Sequence, residues 1–96
     1  MTTLHLVRQS AFNTNDFAQC IEIINDNDAI VLLDDGCYNL HHPLINNVIN
    51  QNVPINVLAQ HAVARAISID ESLFLQVSMN DLVSLTCNHD RVITWQ

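Results

Sequence analysis

The chain has 96 residues, 49% of them apolar and only 14% charged, with ten Asp plus Glu set against three arginines and no lysine. A net charge of −7 argues against direct binding to tRNA, DNA or an anionic membrane surface, because contacts to phosphate are made by Lys and Arg. The length suits one domain over residues 1–96 with a core of its own, and so low a charged fraction leaves apolar surface uncovered, which points to an oligomer.

Residues 4–7 are short and apolar and predict a first strand, followed by a polar loop over 8–14. Asn15 can cap a helix running to residue 25, in which Phe17, Cys20, Ile21 and Ile24 fall on one face. Residues 29–33 are a continuous apolar run of the kind buried in a parallel sheet. The run stops at Asp34, Asp35 and Gly36, a turn signal that uses the only glycine in the chain. Pro43 suits the first turn of a second helix, with Leu44, Ile45, Val48 and Ile49 as its buried stripe. Pro54 opens a third strand over 55–58, a short helix follows over 61–67, and residues 73–77 predict a fourth strand. Ser78 with Asp81 three residues on is a capping-box signature for a last helix, with Met79, Leu82, Val83 and Thr86 in register. Residues 92–95 close the chain as a fifth strand.

This alternation predicts an α/β fold: a three-layer α/β/α, doubly wound domain with a mostly parallel five-stranded sheet covered on both faces. Function in such folds sits beyond the carboxyl ends of the strands. Here those ends open into loops over 8–14, 34–42 and 59–61. The first residues lack the basic and apolar segments of a signal peptide, and the longest apolar run is too short to span a bilayer. Three cysteines, Cys20, Cys37 and Cys87, are an odd number without Cys-x-x-Cys spacing, so a reducing cytosol is expected rather than a disulfide framework.

No cofactor or metal is expected. A single glycine excludes Gly-rich phosphate loops, and no nucleophile-elbow motif surrounds a serine that His5 could activate. Cys37, His41 and His42 match no standard zinc spacing.

The punctuation of the chain is distinctive when taken together. The opening Leu4-His5-Leu6-Val7 followed by Ser10, the strand ending Leu33-Asp34-Asp35-Gly36, Arg65, and the closing Leu85-Thr86, His89, Val92 and Trp95 resemble the TusB/DsrH family along the whole chain. Ala11 stands where that family usually has proline, Ala66 where glycine is common, and Gln96 follows the near-terminal tryptophan. The resemblance implies a subunit of a TusBCD-like heterohexamer with TusC- and TusD-like partners. Such a complex takes persulfide sulfur from a TusA-like donor and hands it to a TusE-like acceptor, toward 2-thiouridine at the tRNA wobble position. It equally admits a DsrEFH-type sulfur-oxidation complex. In both, the principal cysteine belongs to a TusD/DsrE-type subunit, in the loop after the third strand. The corresponding place here is Leu58 or Ala59, and neither can carry sulfur. The chain is therefore expected to be non-catalytic by itself.

A sulfur-handling cysteine should be accessible and of lowered pKa. Cys20, among Phe17, Ile21 and Ile24, reads as a buried small hydrophobe. The resemblance nevertheless implies an auxiliary role, since DsrH-type members carry a cysteine in this helix. Cys37 sits at the carboxyl end of a strand, but Asp34 and Asp35 beside it would raise its pKa. Cys87, near a helix C-terminus, reads as packing or interface. Phe74 and Trp95 read as core or interface aromatics and Phe12 as an exposed anchor for a partner. A stand-alone homo-oligomeric binding domain is a further reading.

Overall fold

The structure, a computed structural model, describes residues 1–96. Its elements follow the predicted alternation: β1 (Thr3–Val7), α1 (Asp16–Ile23), β2 (Ala29–Leu32), a 3₁₀ helix (Asp34–His41), α2 (Ile45–Asn50), β3 (Ile55–Leu58), α3 (Ala59–Ala64), β4 (Leu75–Val77), α4 (Met79–Asn88) and β5 (Arg91–Trp95). All four strand pairings are parallel, in the order β4-β3-β2-β1-β5. The chain steps outward from β1 to β4 and then crosses back to place β5 on the far side of β1. Right-handed crossovers in opposite directions put helices on opposite faces.

The two faces are built differently. Val7, Ile30, Leu32, Ile55 and Val57 point to one side, where they pack with Phe17 and Cys20 of α1, Cys37 of the 3₁₀ helix, Ile45 and Val48 of α2, and Ala62 of α3. Leu4, Ala29, Val31 and Leu58 point to the other, where the only helical residue in their cluster is Leu82 of α4, with Leu85 partly buried beside it.

Several local expectations are corrected. Asn15 makes no side-chain cap on α1, so that helix is held by the burial of Phe17 and Cys20 rather than by its N-terminus. The stretch 34–42, expected as a loop, is largely the 3₁₀ helix. Residues 59–61 are the first turn of α3, because β3 passes into the helix without a connecting loop. Ser78 and Asp81 do form the capping box. Of the residues read as the inner stripe of α4, however, Leu82 is buried while Met79 and Val83 are exposed.

Candidate functional site

The carboxyl ends of β1, β2 and β5 are joined by their own backbone before any side chain contributes. Leu33 N–H donates to Val7 O (3.1 Å), Gly36 N–H to Arg8 O (3.1 Å), and Arg8 N–H to Trp95 O (3.1 Å). Gly36 is required by this approach: a Cβ there would lie 2.0 Å from Val7 O. Asn39, fully buried, welds the next layer. Its Oδ1 accepts from Ala11 N–H (2.7 Å) and its Nδ2 donates to Gln9 O (3.1 Å). Phe12 is thereby held at the surface with its ring edge-on to His42, centroids 4.7 Å apart.

Charged groups cover this end. Arg8 Nε donates to Asp34 Oδ2 (2.7 Å) and its Nη1 to Gln96 Oε1 (2.8 Å), closing the crevice between β1 and β5 where the strand order reverses. His61 Nδ1 accepts from Asp34 N–H (2.8 Å). Arg65 Nε donates to Asp35 Oδ1 (3.1 Å) and its Nη1 to His61 O (3.3 Å). These pairs are partly exposed, so each contributes at most about 1 kcal/mol. Their effect is positional: two of the three arginines and both loop aspartates neutralise each other. No cavity indents the molecule.

A second constellation joins the amino ends of β1 and β2 to β5. Asp28, buried, accepts from Thr3 N–H (3.0 Å), Asn25 N–H (3.0 Å) and His5 Nε2 (3.0 Å). Trp95 Nε1–H donates to His5 Nδ1 (3.1 Å). An indole nitrogen can only donate, so His5 Nδ1 carries the lone pair and Nε2 the proton. Burial alone would raise the Asp28 pKa, but the hydrogen bonds from Asn25, His5 and Thr3 outweigh it and hold the carboxyl below its usual value.

The cysteines are not part of either constellation. Cys20 is fully buried, and burial, reinforced by the charge of Asp28, pushes its thiol up to about 12. Cys37 is also buried, its Sγ 3.7 Å from Leu32 O. Burial raises it to about 11; Arg65 opposes this, while Asp34 and Asp35 add to it. Cys87 is exposed on α4. The histidines near Cys37 turn elsewhere: His41 is exposed, and His42 Nδ1 accepts from Leu44 N–H (3.1 Å).

The structure thus brings Arg65, Asp34, Asp35 and Gly36 together at the carboxyl end, with Ser10 in the neighbouring loop, where its Oγ accepts from Phe12 N–H (3.2 Å). It brings His5 and Trp95 together within the sheet. Leu85, Thr86 and His89 lie on or after α4: Thr86 Oγ1 donates to Val83 O, and His89 Nδ1 lies 2.7 Å from Leu85 O, closing the helix end. Sequence reasoning missed Arg8, His61, Asn39 and Asp28. Only Arg8 carried a signal, as one of three cations at the end of a strand.

Two of the three departures from the TusB/DsrH pattern have backbone counterparts. Ala11 supplies the N–H that Asn39 binds, which a proline could not. Ala66 has φ 55°, in the left-handed region that favours glycine.

A family model described as DsrH like protein matches residues 9–92. The ychN protein of E. coli, known from a crystal structure, is 17% identical with a TM-score of 0.74, over 98% of this chain and 99% of that one. Protein Tm0979 of Thermotoga maritima, known from a solution NMR structure, is 18% identical with a TM-score of 0.64, over 86% of this chain and 88% of its own. At these identities the two structures show the shared fold. No curated protein matches the chain.

Proposed function

We propose, from the premise that this chain belongs to the DsrH-like family, that it is a non-catalytic subunit of a TusBCD-like sulfur relay. It acts as one domain, in the cytoplasm, beside TusC- and TusD-like subunits in a heterohexamer. TusA- and TusE-like proteins are reached through that complex, which passes persulfide sulfur toward 2-thiouridine at the tRNA wobble position. The acidic chain leaves contact with tRNA to other proteins. No helix is long and apolar enough to cross a membrane.

One observation carries the non-catalytic reading. Where the family resemblance locates the principal cysteine of the related subunit, this chain has Leu58, fully buried, and Ala59, the first residue of α3. The two buried thiols of the chain are unsuited to attack. With pKa values of about 12 and 11, Cys20 and Cys37 are almost entirely protonated at neutral pH, and both are shielded. The same burial counts against the DsrH-type alternative in which Cys20 handles sulfur, since a buried thiol cannot meet a donor persulfide.

Co-expression with the TusC- and TusD-like proteins of the same source tests this reading. A complex of heterohexamer mass is expected. Incubation with a persulfide-loaded TusA-like donor should then leave Cys20 and Cys37 of this chain at unchanged mass. A lone homo-oligomer that ignores both companions would refute the relay role, and a gain of one sulfur at Cys20 would refute the non-catalytic one.

A further inference from the structure

The side of the sheet that carries α4 is under-covered. Five strands spaced about 4.8 Å apart place the outer strand axes about 19 Å from each other, whereas one helix is only about 10 Å across. On the opposite side four helical elements share the work; here α4 works alone. The strand register shows what it leaves bare. Leu75 of β4 aligns with Asn56 and Val31, and is 57% exposed. Val92 of β5 aligns with Leu4 and is 42% exposed. On α4 itself, Met79 and Val83 share one flank, 49% and 60% exposed. Parallel sheets are normally buried on both faces.

Asn56 adds a polar sign. It is buried on β3, next to the edge strand β4, and its Nδ2 donates to Ile30 O (3.0 Å). Its Oδ1 accepts nothing within the chain. Because no fully enclosed side-chain polar atom lacks a partner, that oxygen is not completely enclosed. A covering element must therefore be apolar and able to present a hydrogen-bond donor.

Charge selects the kind of chain. Of the ten acids, Asp34 and Asp35 are paired with arginines and Asp28 is hydrogen-bonded to neutral His5, which leaves seven others without a cation. Asp81, at the start of α4, and Asp90, just beyond its end, are among them. Arg91 aligns with Thr3 on the other side of the sheet and donates to its hydroxyl (3.3 Å), so it does not offset them. Two copies of this chain, each of net charge −7, would repel one another.

We infer that the α4 side of the sheet docks an amphipathic helix, neutral or basic at its flanks, from a companion subunit of different sequence; this rests on the relay reading above. The helix lies beside α4, covers Val83 and its neighbours, and gives a donor to Asn56 Oδ1. The occupant is not a second copy of the chain.

The test uses the full chain and its two companions. By sedimentation the chain alone should be a monomer; a homo-oligomer dispersed by Val83→Arg would overturn the inference. In co-purification, Val83→Arg and Leu75→Arg should each weaken retention of a companion at least tenfold, whereas Val63→Arg, at an exposed position of α3, should not. Circular dichroism confirms that each variant is folded. A complex that forms equally well with all three variants would overturn the docking surface and leave the relay reading intact. No complex with the unaltered chain would remove both.

Discussion

The two sides of the sheet solve opposite problems. On the α1–α3 side and at its ends, polar groups are tied to one another: Asn39 to Gln9 and Ala11, Asp28 to His5, Thr3 and Asn25, Arg8 and Arg65 to Asp34 and Asp35. On the α4 side large apolar groups face solvent, and Asn56 keeps an open acceptor. A folded chain can leave apolar surface exposed at little cost to itself, but it cannot leave buried polar groups unpaired. Substitution of the tied polar groups should thus destabilise the protein, whereas substitution of the exposed apolar groups on the α4 side should change only its associations.

The largest effect is expected at Gly36. A methyl group at 2.0 Å from Val7 O and 2.8 Å from Val7 C meets backbone on both contacts, so the 3₁₀ helix must pull away from β1. Gly36→Ala should cost about 3 kcal/mol or more, at the upper end of overpacking, as measured by urea unfolding. A loss below about 1 kcal/mol would mean that the carboxyl end is not locked. Next comes Asn39→Ala, which strands Ala11 N–H and Gln9 O in a dry site for about 2–3 kcal/mol. Ala11→Pro removes one of the same bonds, so the double variant should cost less than the sum of the two singles.

Asp28 sharpens the comparison through pH. An Asn at this position can still accept from Thr3, but its amide would then face the N–H groups of Asn25 and His5. His5 cannot yield by moving its proton to Nδ1, because Trp95 N–H already occupies that nitrogen. Asp28→Asn should cost about 2 kcal/mol at neutral pH. The sign in acid is fixed by the lowered carboxyl pKa. The contribution of Asp28 is present in full above the unfolded value of about 3.8 and is lost as pH falls through the lower folded value. The gap between unaltered chain and variant should therefore narrow below pH 3.8; a gap that widens in acid would contradict the hydrogen-bond assignment.

How much of this was legible in the sequence follows from the range of the interactions. The third strand was read at its observed bounds, because Pro54 and an apolar run mark it locally, and the capping box of α4 needs only Ser78 and Asp81. The 3₁₀ helix was not legible. Its fixed points, Gly36 against Arg8 and Asn39 against Gln9 and Ala11, join residues 28 to 30 apart and leave no period in the sequence. Asp28 was hidden for the same reason, reading as one polar residue in a run of Asn and Asp. Helical spacing alone also placed Met79 and Val83 on the inner face of α4. Only the sheet below shows that one helix width cannot bury them.

A stabilising change separates strain from function. Ala66 holds a left-handed backbone, φ 55°, at the turn after α3, a conformation that disfavours an L side chain by about 1 kcal/mol. Ala66→Gly should raise stability by a few tenths to about 1 kcal/mol, since the relief of strain exceeds the extra entropy of an unfolded glycine. A loss on substitution would show that the Ala66 methyl packs against something this conformation does not bring near it.

The smallest effect carries the comparison furthest. Val83 lies one residue beyond Leu82 on α4, yet Leu82 is buried while Val83 is exposed. Leu82→Ala should cost about 2–3 kcal/mol, because it empties the one buried contact of α4 with the sheet, beside the partly buried Leu85. Val83→Lys should stay within about 0.5 kcal/mol of the unaltered chain, as surface substitutions do, the better helix propensity of Lys offsetting the little apolar area lost. The two urea midpoints, measured side by side on the isolated chain, read directly whether this face is open. If Val83→Lys cost as much as Leu82→Ala, then α4 would bury that flank without any partner, and the helix-width gap would already be filled from within.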